Sequence, residues 1–87
     1  MQKVFEALAS AVRRKILAYL AHGELTAGEI ASRFDISKPS VSQHLAVLRS
    51  AGLVSTRRNG NTIFYRLTDD RVLEAYRLIQ TIAREGA

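Results

Sequence analysis

Apolar residues recur between Ser37 and Gly52 at Val41, Leu45 and Leu48, a four-and-three spacing that places them along one side of a helix, with Ala51 at the edge of the stripe. Ser37 offers a side-chain oxygen to free backbone N–H groups, Pro39 is tolerated only in a first helical turn, and Gly52 is the usual left-handed stop. A helix is therefore predicted over 37–51. Upstream, Lys3 to Ala9 forms a short helical piece with Val4, Phe5 and Leu8 on or near one face, too short to be stable alone. Ser10 caps a second helix, in which Val12, Ile16, Leu17, Tyr19 and Leu20 make the inward stripe before Gly23 ends it. Thr26-x-x-Glu29 is a capping box that opens a third helix, turning Ile30 and Phe34 inward, and Asp35 and Ile36 form a short turn into the 37–51 helix. Two helices joined in this way make a helix-turn-helix pattern.

After Gly52 the period changes from helical to alternating. Leu53 to Arg58 and Asn61 to Leu67 are rich in Val, Ile, Thr, Phe and Tyr, and Asn59-Gly60 between them signals a two-residue hairpin. That turn sets Thr56 opposite Ile63 and Val54 opposite Tyr65, so Val54, Ile63 and Tyr65 share a face able to cover the helices. Thr68, Asp69 and Asp70 cap a last helix that runs to about Arg84. Its apolar positions, Val72, Leu73, Ala75, Tyr76, Leu78, Ile79, Ile82 and Ala83, span roughly 220° at 100° per residue, against the ~100° needed to dock one helix on a core. A second partner is implied. The same helix of another copy, joined by Val4, Phe5 and Leu8, would form a two-fold dimer; the alternative is that the domain wraps both sides of this helix itself. The fold class is α+β, mainly α: a winged helix-turn-helix of about five helices with a two-stranded β-hairpin wing, in one domain over 1–87.

Composition narrows the chemistry. The chain has 87 residues and no cysteine, which excludes disulfides and thiolate metal sites. No apolar run approaches the roughly 18 residues of a membrane span, and the N-terminus lacks a signal-peptide core, so a cytoplasmic protein is expected. The net charge of +5 is concentrated: Ile36 to Thr68 holds Lys38, Arg49, Arg57, Arg58 and Arg66 with no acidic residue, while the remaining segments balance eight basic against eight acidic side chains. Such a block is the electrostatic footprint of phosphate binding, although a merely solvated basic face is the plainer alternative. Within it, Ser40, Ser42, Gln43, Ala46 and Val47 project outward from the 37–51 helix without a carboxylate among them, unlike an ordinary solvated face. Arg57, Arg58, Asn59 and Asn61 crowd the hairpin tip, where they suit phosphate contacts or insertion of an arginine into a minor groove; a charged edge that resists aggregation is the alternative. Arg13, Arg14 and Lys15 read first as a solvated run and second as auxiliary phosphate contacts.

The runs ALASAVRRKILAYL and LTAGEIASRFDISKPSVSQHLAVLRSAGLVSTRRNGNTIFYRL resemble the ArsR-type family of dimeric bacterial winged-helix repressors over nearly the whole chain. The resemblance implies a homodimer on an imperfect palindrome in a promoter, released in many members by a metal or other signal. It carries Lys38, Ser40, Ser42, Gln43 and His44 to the major groove or its flanking phosphates, and Arg57 and Arg58 to the wing; for His44, packing, phosphate contact and base reading all remain open. Many metal-sensing members have two cysteines where this chain has Thr26 and Gly28, and others use histidines on the C-terminal helix, where this chain offers only Asp69, Asp70, Glu74 and Glu85. Carboxylates alone are weak ligands for soft or borderline metals, so neither a metal nor another cofactor is expected. Double-stranded DNA is the expected partner. A winged-helix module for protein interaction or RNA is the rival reading; an enzyme is disfavoured, because Ser42 and His44 two residues apart on a helix do not face each other.

Overall fold

A computed structural model describes residues 2–69, 77 and 80–85. Helix α4 (Lys38–Ser50) begins where Ser37, in an extended conformation, accepts a hydrogen bond from the Ser40 backbone, with Pro39 in the first turn. It buries Val41, Leu45 and Leu48, all at most 1% exposed. Against this stripe pack α1 (Gln2–Leu8), α2 (Ala11–Leu20) and α3 (Ala27–Ala31), which add Ala7, Ile16, Leu17, Leu20 and Ile30 to one core with Val54. In α1 the buried residue is Ala7, while Phe5 stands 68% exposed. Ser10 caps α2 by accepting from the Arg13 backbone, and Thr26 and Glu29 close the capping box of α3 in both directions.

Helix α3 is shorter than predicted. Arg33 and Phe34 donate to carbonyls three residues back, and the Ser32 hydroxyl donates to the Glu29 carbonyl at 2.6 Å, so the backbone tightens and leaves the α-helix after Ala31. Phe34 thus lies in the turn and meets Tyr19 edge to face, with ring centroids 5.6 Å apart.

The sheet has three strands rather than two. Leu25–Thr26 (β1), directly before α3, pairs antiparallel with β3 (Thr62–Leu67), which pairs with β2 (Val54–Asn59), giving the order β1-β3-β2. The hairpin register differs by two residues from the predicted one: Val54 opposes Leu67, Thr56 opposes Tyr65 and Arg58 opposes Ile63. Asn59 is the last strand residue and pairs with Thr62, so Gly60-Asn61 makes the turn. Gly60 has φ +64° and Asn61 does not have positive φ, the pattern of a II′ turn, which takes glycine first. A shift of two preserves the faces but moves Ile63 out to the tip, where it is 43% exposed and does not cover the helices. Val54 and Tyr65 remain against the core.

Gly52, at φ +77°, reverses the chain from α4 into β2. The Thr68 hydroxyl donates to the Gly52 carbonyl at 2.8 Å and its N–H to the Leu53 carbonyl, closing the hairpin base. Residues 80–85 are helical, in agreement with a C-terminal helix. Its predicted interface positions Val72, Leu73, Tyr76 and Ile79, with Asp70 of its cap, lie outside the described residues.

Candidate nucleic-acid interface

Burial of Val41, Leu45 and Leu48 leaves Lys38, Ser42, Gln43, Ala46 and Val47 exposed on the other side of α4. The helix has no carboxylate, so its outer face is a cationic and hydrogen-bonding strip. Ser40 is half-buried beside it. Its hydroxyl oxygen accepts from the Ser37 hydroxyl at 3.0 Å, which leaves the Ser40 proton available to a further acceptor. Ala46 and Val47, further along the helix, share a shallow groove with Lys3 and Glu6 of α1. The outer face of α4 is therefore open at its N-terminal end and flanked by α1 toward its C-terminal end.

At the N-terminal end, Lys38 shares a second groove with Thr26 to Gly28 and with Asn61, Thr62 and Ile63 of the wing tip. The fold thus brings the start of α4 and the hairpin turn together, although more than twenty residues separate them in the chain. Asn59 and Asn61 are both exposed at that turn.

The two wing arginines separate. Neighbouring strand residues alternate faces. Arg57 turns to Glu24, to which it donates from Nη2 at 2.8 Å and from Nε at 3.2 Å, and its guanidinium lies 4.9 Å from the Phe64 ring centroid. Arg66 approaches the same carboxylate at 3.8 Å. The Arg57 hydrogen bond, with the charges of Arg57 and Arg66, holds the Glu24 carboxyl below its ordinary value against a smaller opposing effect of desolvation, and Arg57 is raised in return. Arg58 donates from Nε to the Gly60 carbonyl at 3.1 Å and has no carboxylate partner among the described residues. The stretch from Ile36 to Thr68, acid-free in sequence, is therefore partly neutralised in space by Glu24.

Sequence reasoning also missed Arg13. Rather than pointing to solvent it reaches His44 of α4, with Nη1 3.2 Å from Nδ1. His44 is half-buried at the edge of the strip. Among the described residues no group of three or more His, Cys, Asp or Glu side chains is placed to hold a metal ion, and no helix is long and apolar enough to cross a membrane.

Comparison with known proteins bears on this surface. The family model described as "Bacterial regulatory protein, arsR family" matches residues 10–56, which include α2, α3, α4 and the start of β2. The transcriptional repressor SdpR of Bacillus subtilis is 49% identical over 67 residues, covering 77% of this chain and 74% of its own length. The transcriptional activator HlyU of Vibrio cholerae is 39% identical over 79 residues, covering 91% and 73%. Among solved structures, the homodimeric winged helix-turn-helix DNA-binding domain of Mb0332 from Mycobacterium bovis superposes with a TM-score of 0.93 at 35% identity, covering 98% of this chain and 79% of that one. The chain spans between about half and three quarters of the length of the curated relatives it matches.

Proposed function

Because the chain belongs to the arsR family of bacterial regulatory proteins, we propose that it acts as a homodimeric repressor, each copy reading one half-site of a palindromic operator. It is a DNA-binding transcriptional regulator and not an enzyme. The observation that carries the finer reading is the exposed, carboxylate-free face of α4, held rigid by three fully buried residues beneath it. Helix α4 enters the major groove, with its N-terminal end foremost. Gln43 is the base reader, since an amide pairs with adenine at two points and such a pair discriminates by ~1–3 kcal/mol. Lys38, Ser40 and Ser42 hold flanking phosphates or base edges, and Ala46 and Val47 touch thymine methyl groups. The wing lies on the adjacent backbone or minor groove through Arg58, Asn59 and Asn61, with Arg57 bracing it through Glu24 and Phe64. Two copies joined through Val4, Phe5 and Leu8 of α1 and the C-terminal helix, including Ile82 and Ala83, set the spacing of the two readers. Repression needs no resident metal in this reading, and the place of action is the cytoplasm; elemental analysis of the purified protein is expected to show zinc well below one per chain.

Fragmented genomic DNA retained by the purified protein, once sequenced, tests the proposal. An inverted repeat with half-sites about one helical turn apart, ~34 Å, is the expected enrichment. Gln43→Ala is expected to relax sequence preference, whereas Arg58→Ala weakens all duplexes alike and lowers the salt slope by about one unit. Retention without a shared sequence would reduce the site to an electrostatic surface. No retention would overturn the proposal in favour of a protein-interaction module.

A further inference from the structure

Arg13 is held by all parts of its fork. Nε donates to the Ala7 carbonyl at 2.8 Å, Nη2 to the Glu6 carbonyl at 2.6 Å, and Nη1 meets His44 Nδ1 at 3.2 Å. The backbone N–H of the same residue is fixed by the Ser10 cap. A guanidinium has five donors in a rigid plane, no acceptor, and keeps its proton throughout the range in which proteins fold. In its contact with His44 it is therefore the donor, and Nδ1 is the ring nitrogen without a proton. The ring proton then resides on Nε2, the nitrogen turned away from Arg13. His44 is half-buried, and among the described residues its Nε2 has no hydrogen-bond partner. It stands next to Gln43, on the helix whose other face is locked in the core.

We propose that Arg13 is a positioning residue for DNA recognition: by fixing the tautomer and ring orientation of His44 it makes α4 present an N–H donor to an acceptor on the duplex. That acceptor is a phosphate oxygen or a base-edge atom. The inference rests on the reading of α4 as the helix that enters DNA, and it gives His44 one chemical role, donor through Nε2. It also links α1 to the reading face, because the carbonyls that anchor the fork, those of Glu6 and Ala7, lie in the last turn of α1; that of Glu6 also accepts from the Ala9 backbone at 3.2 Å.

Nitrogen-detected NMR of the His44 ring in the DNA-free protein tests the first half without reference to binding. The expected result is a single Nε2–H tautomer with a coupling across the Arg13 Nη1–H···Nδ1 bond; a proton on Nδ1, or on both nitrogens at mildly alkaline pH, overturns the proposal. The second half is tested with a duplex retrieved by the selection above and an unrelated duplex of equal length. Arg13→Met is expected to weaken binding about tenfold, the scale of one charge-assisted hydrogen bond. His44→Gln places an amide N–H near the Nε2 position whatever Arg13 does, so it is expected to bind within about threefold of the parent, and adding Arg13→Met to it is expected to cost less than about twofold. A loss confined to the selected duplex identifies a base-edge acceptor, and an equal loss on both duplexes a phosphate. If Arg13→Met weakens binding equally with and without His44→Gln, Arg13 acts on DNA directly or only through stability, and the proposal fails. If the parent binds no duplex at all while the tautomer is as expected, the DNA reading has failed and the clamp on His44 is a structural contact only.

Discussion

At the scale of single residues, Glu24 sets how much positive charge the basic stretch presents. It sits before β1, thirty-three residues from Arg57 in the chain, and takes three of that arginine's contacts while also facing Arg66. Both partners are substantially solvated, so the pair is screened and its worth to stability is small. Its effect on the surface is larger, because it offsets the charge of the wing cations that the proposed reading turns toward phosphate. Glu24→Gln is expected to raise affinity for an unrelated duplex severalfold and to steepen the dependence of log K on log salt by roughly one unit, the yield of about one added phosphate contact. An unchanged slope would show that Arg57 engages DNA in spite of Glu24. The run of five basic residues without an acid was legible in the sequence, and so was the outward strip of α4. The pairing that tempers the charge was not, because charge counted along a chain omits carboxylates that the fold brings from elsewhere. Arg13 was missed for the related reason that a charge run on a helix reads as solvated until the neighbouring helix end, with the carbonyls that Arg13 reaches, is in place.

The elements were legible to the degree that each carries its own boundary signal. Ser37, Pro39 and Gly52 bracket α4 as expected, and the T-x-x-E box starts α3 where it should. The end of α3 has no such signal and is set by local hydrogen bonds of Ser32, Arg33 and Phe34, while β1 is only two residues long with no alternation to detect and is settled by packing, since Leu25 and Thr26 extend only because β3 lies beside them. The hairpin register slipped because Asn59-Gly60 and Gly60-Asn61 both contain good turn residues, and either keeps Val54 facing inward. The capping box makes α3 the element with a defined acid response. Glu29 accepts from the Thr26 backbone at 2.8 Å and Thr26 Oγ1 from the Glu29 backbone at 3.1 Å. The Thr26 hydrogen bonds, assisted by Arg33, hold the Glu29 carboxyl below its ordinary value of 4.5. A carboxyl lowered in the folded state binds protons more readily in the unfolded chain, so its stabilisation is complete above the ordinary value and is lost as pH falls through the lowered one. Urea midpoints of the parent and Glu29→Gln are therefore expected to differ at neutral pH and to converge in acid; a gap that persists unchanged would remove the carboxylate from the cap. Thr26→Ala, which deletes the other half of the box, is expected to cost about 1 kcal/mol at neutral pH.

For the whole molecule, the large apolar side chains left exposed among the described residues are Phe5, Val47, Ile63 and Ile82. Val47 and Ile63 belong to the reader helix and the wing tip, where a partner of another kind is proposed. Phe5 at 68% and Ile82 at 59% belong to α1 and the C-terminal helix, and a groove lined by Leu8, Ala11, Leu17 and Ala18 of α1 and α2 runs beside Gln80 and Ala83. One copy of the chain thus leaves apolar surface on both elements whose sequence pattern asks for a partner, and in the proposed dimer a second copy related by a two-fold axis would cover both at once. Core attachment of α1 is carried by Ala7, so a charge at Phe5 would strike the proposed interface without opening the core. Phe5→Asp is expected to keep its helical circular dichroism and a cooperative melt yet to sediment as a monomer. A monomer engages one half-site and forgoes the effective concentration that makes the second contact nearly free, a factor of roughly 10²–10⁴. Its affinity for the full palindrome should therefore fall at least about a hundredfold, toward the affinity of the parent for an isolated half-site. If Phe5→Asp remains dimeric, the interface lies elsewhere; if it becomes monomeric and binds the palindrome undiminished, the two reader helices do not act as a pair.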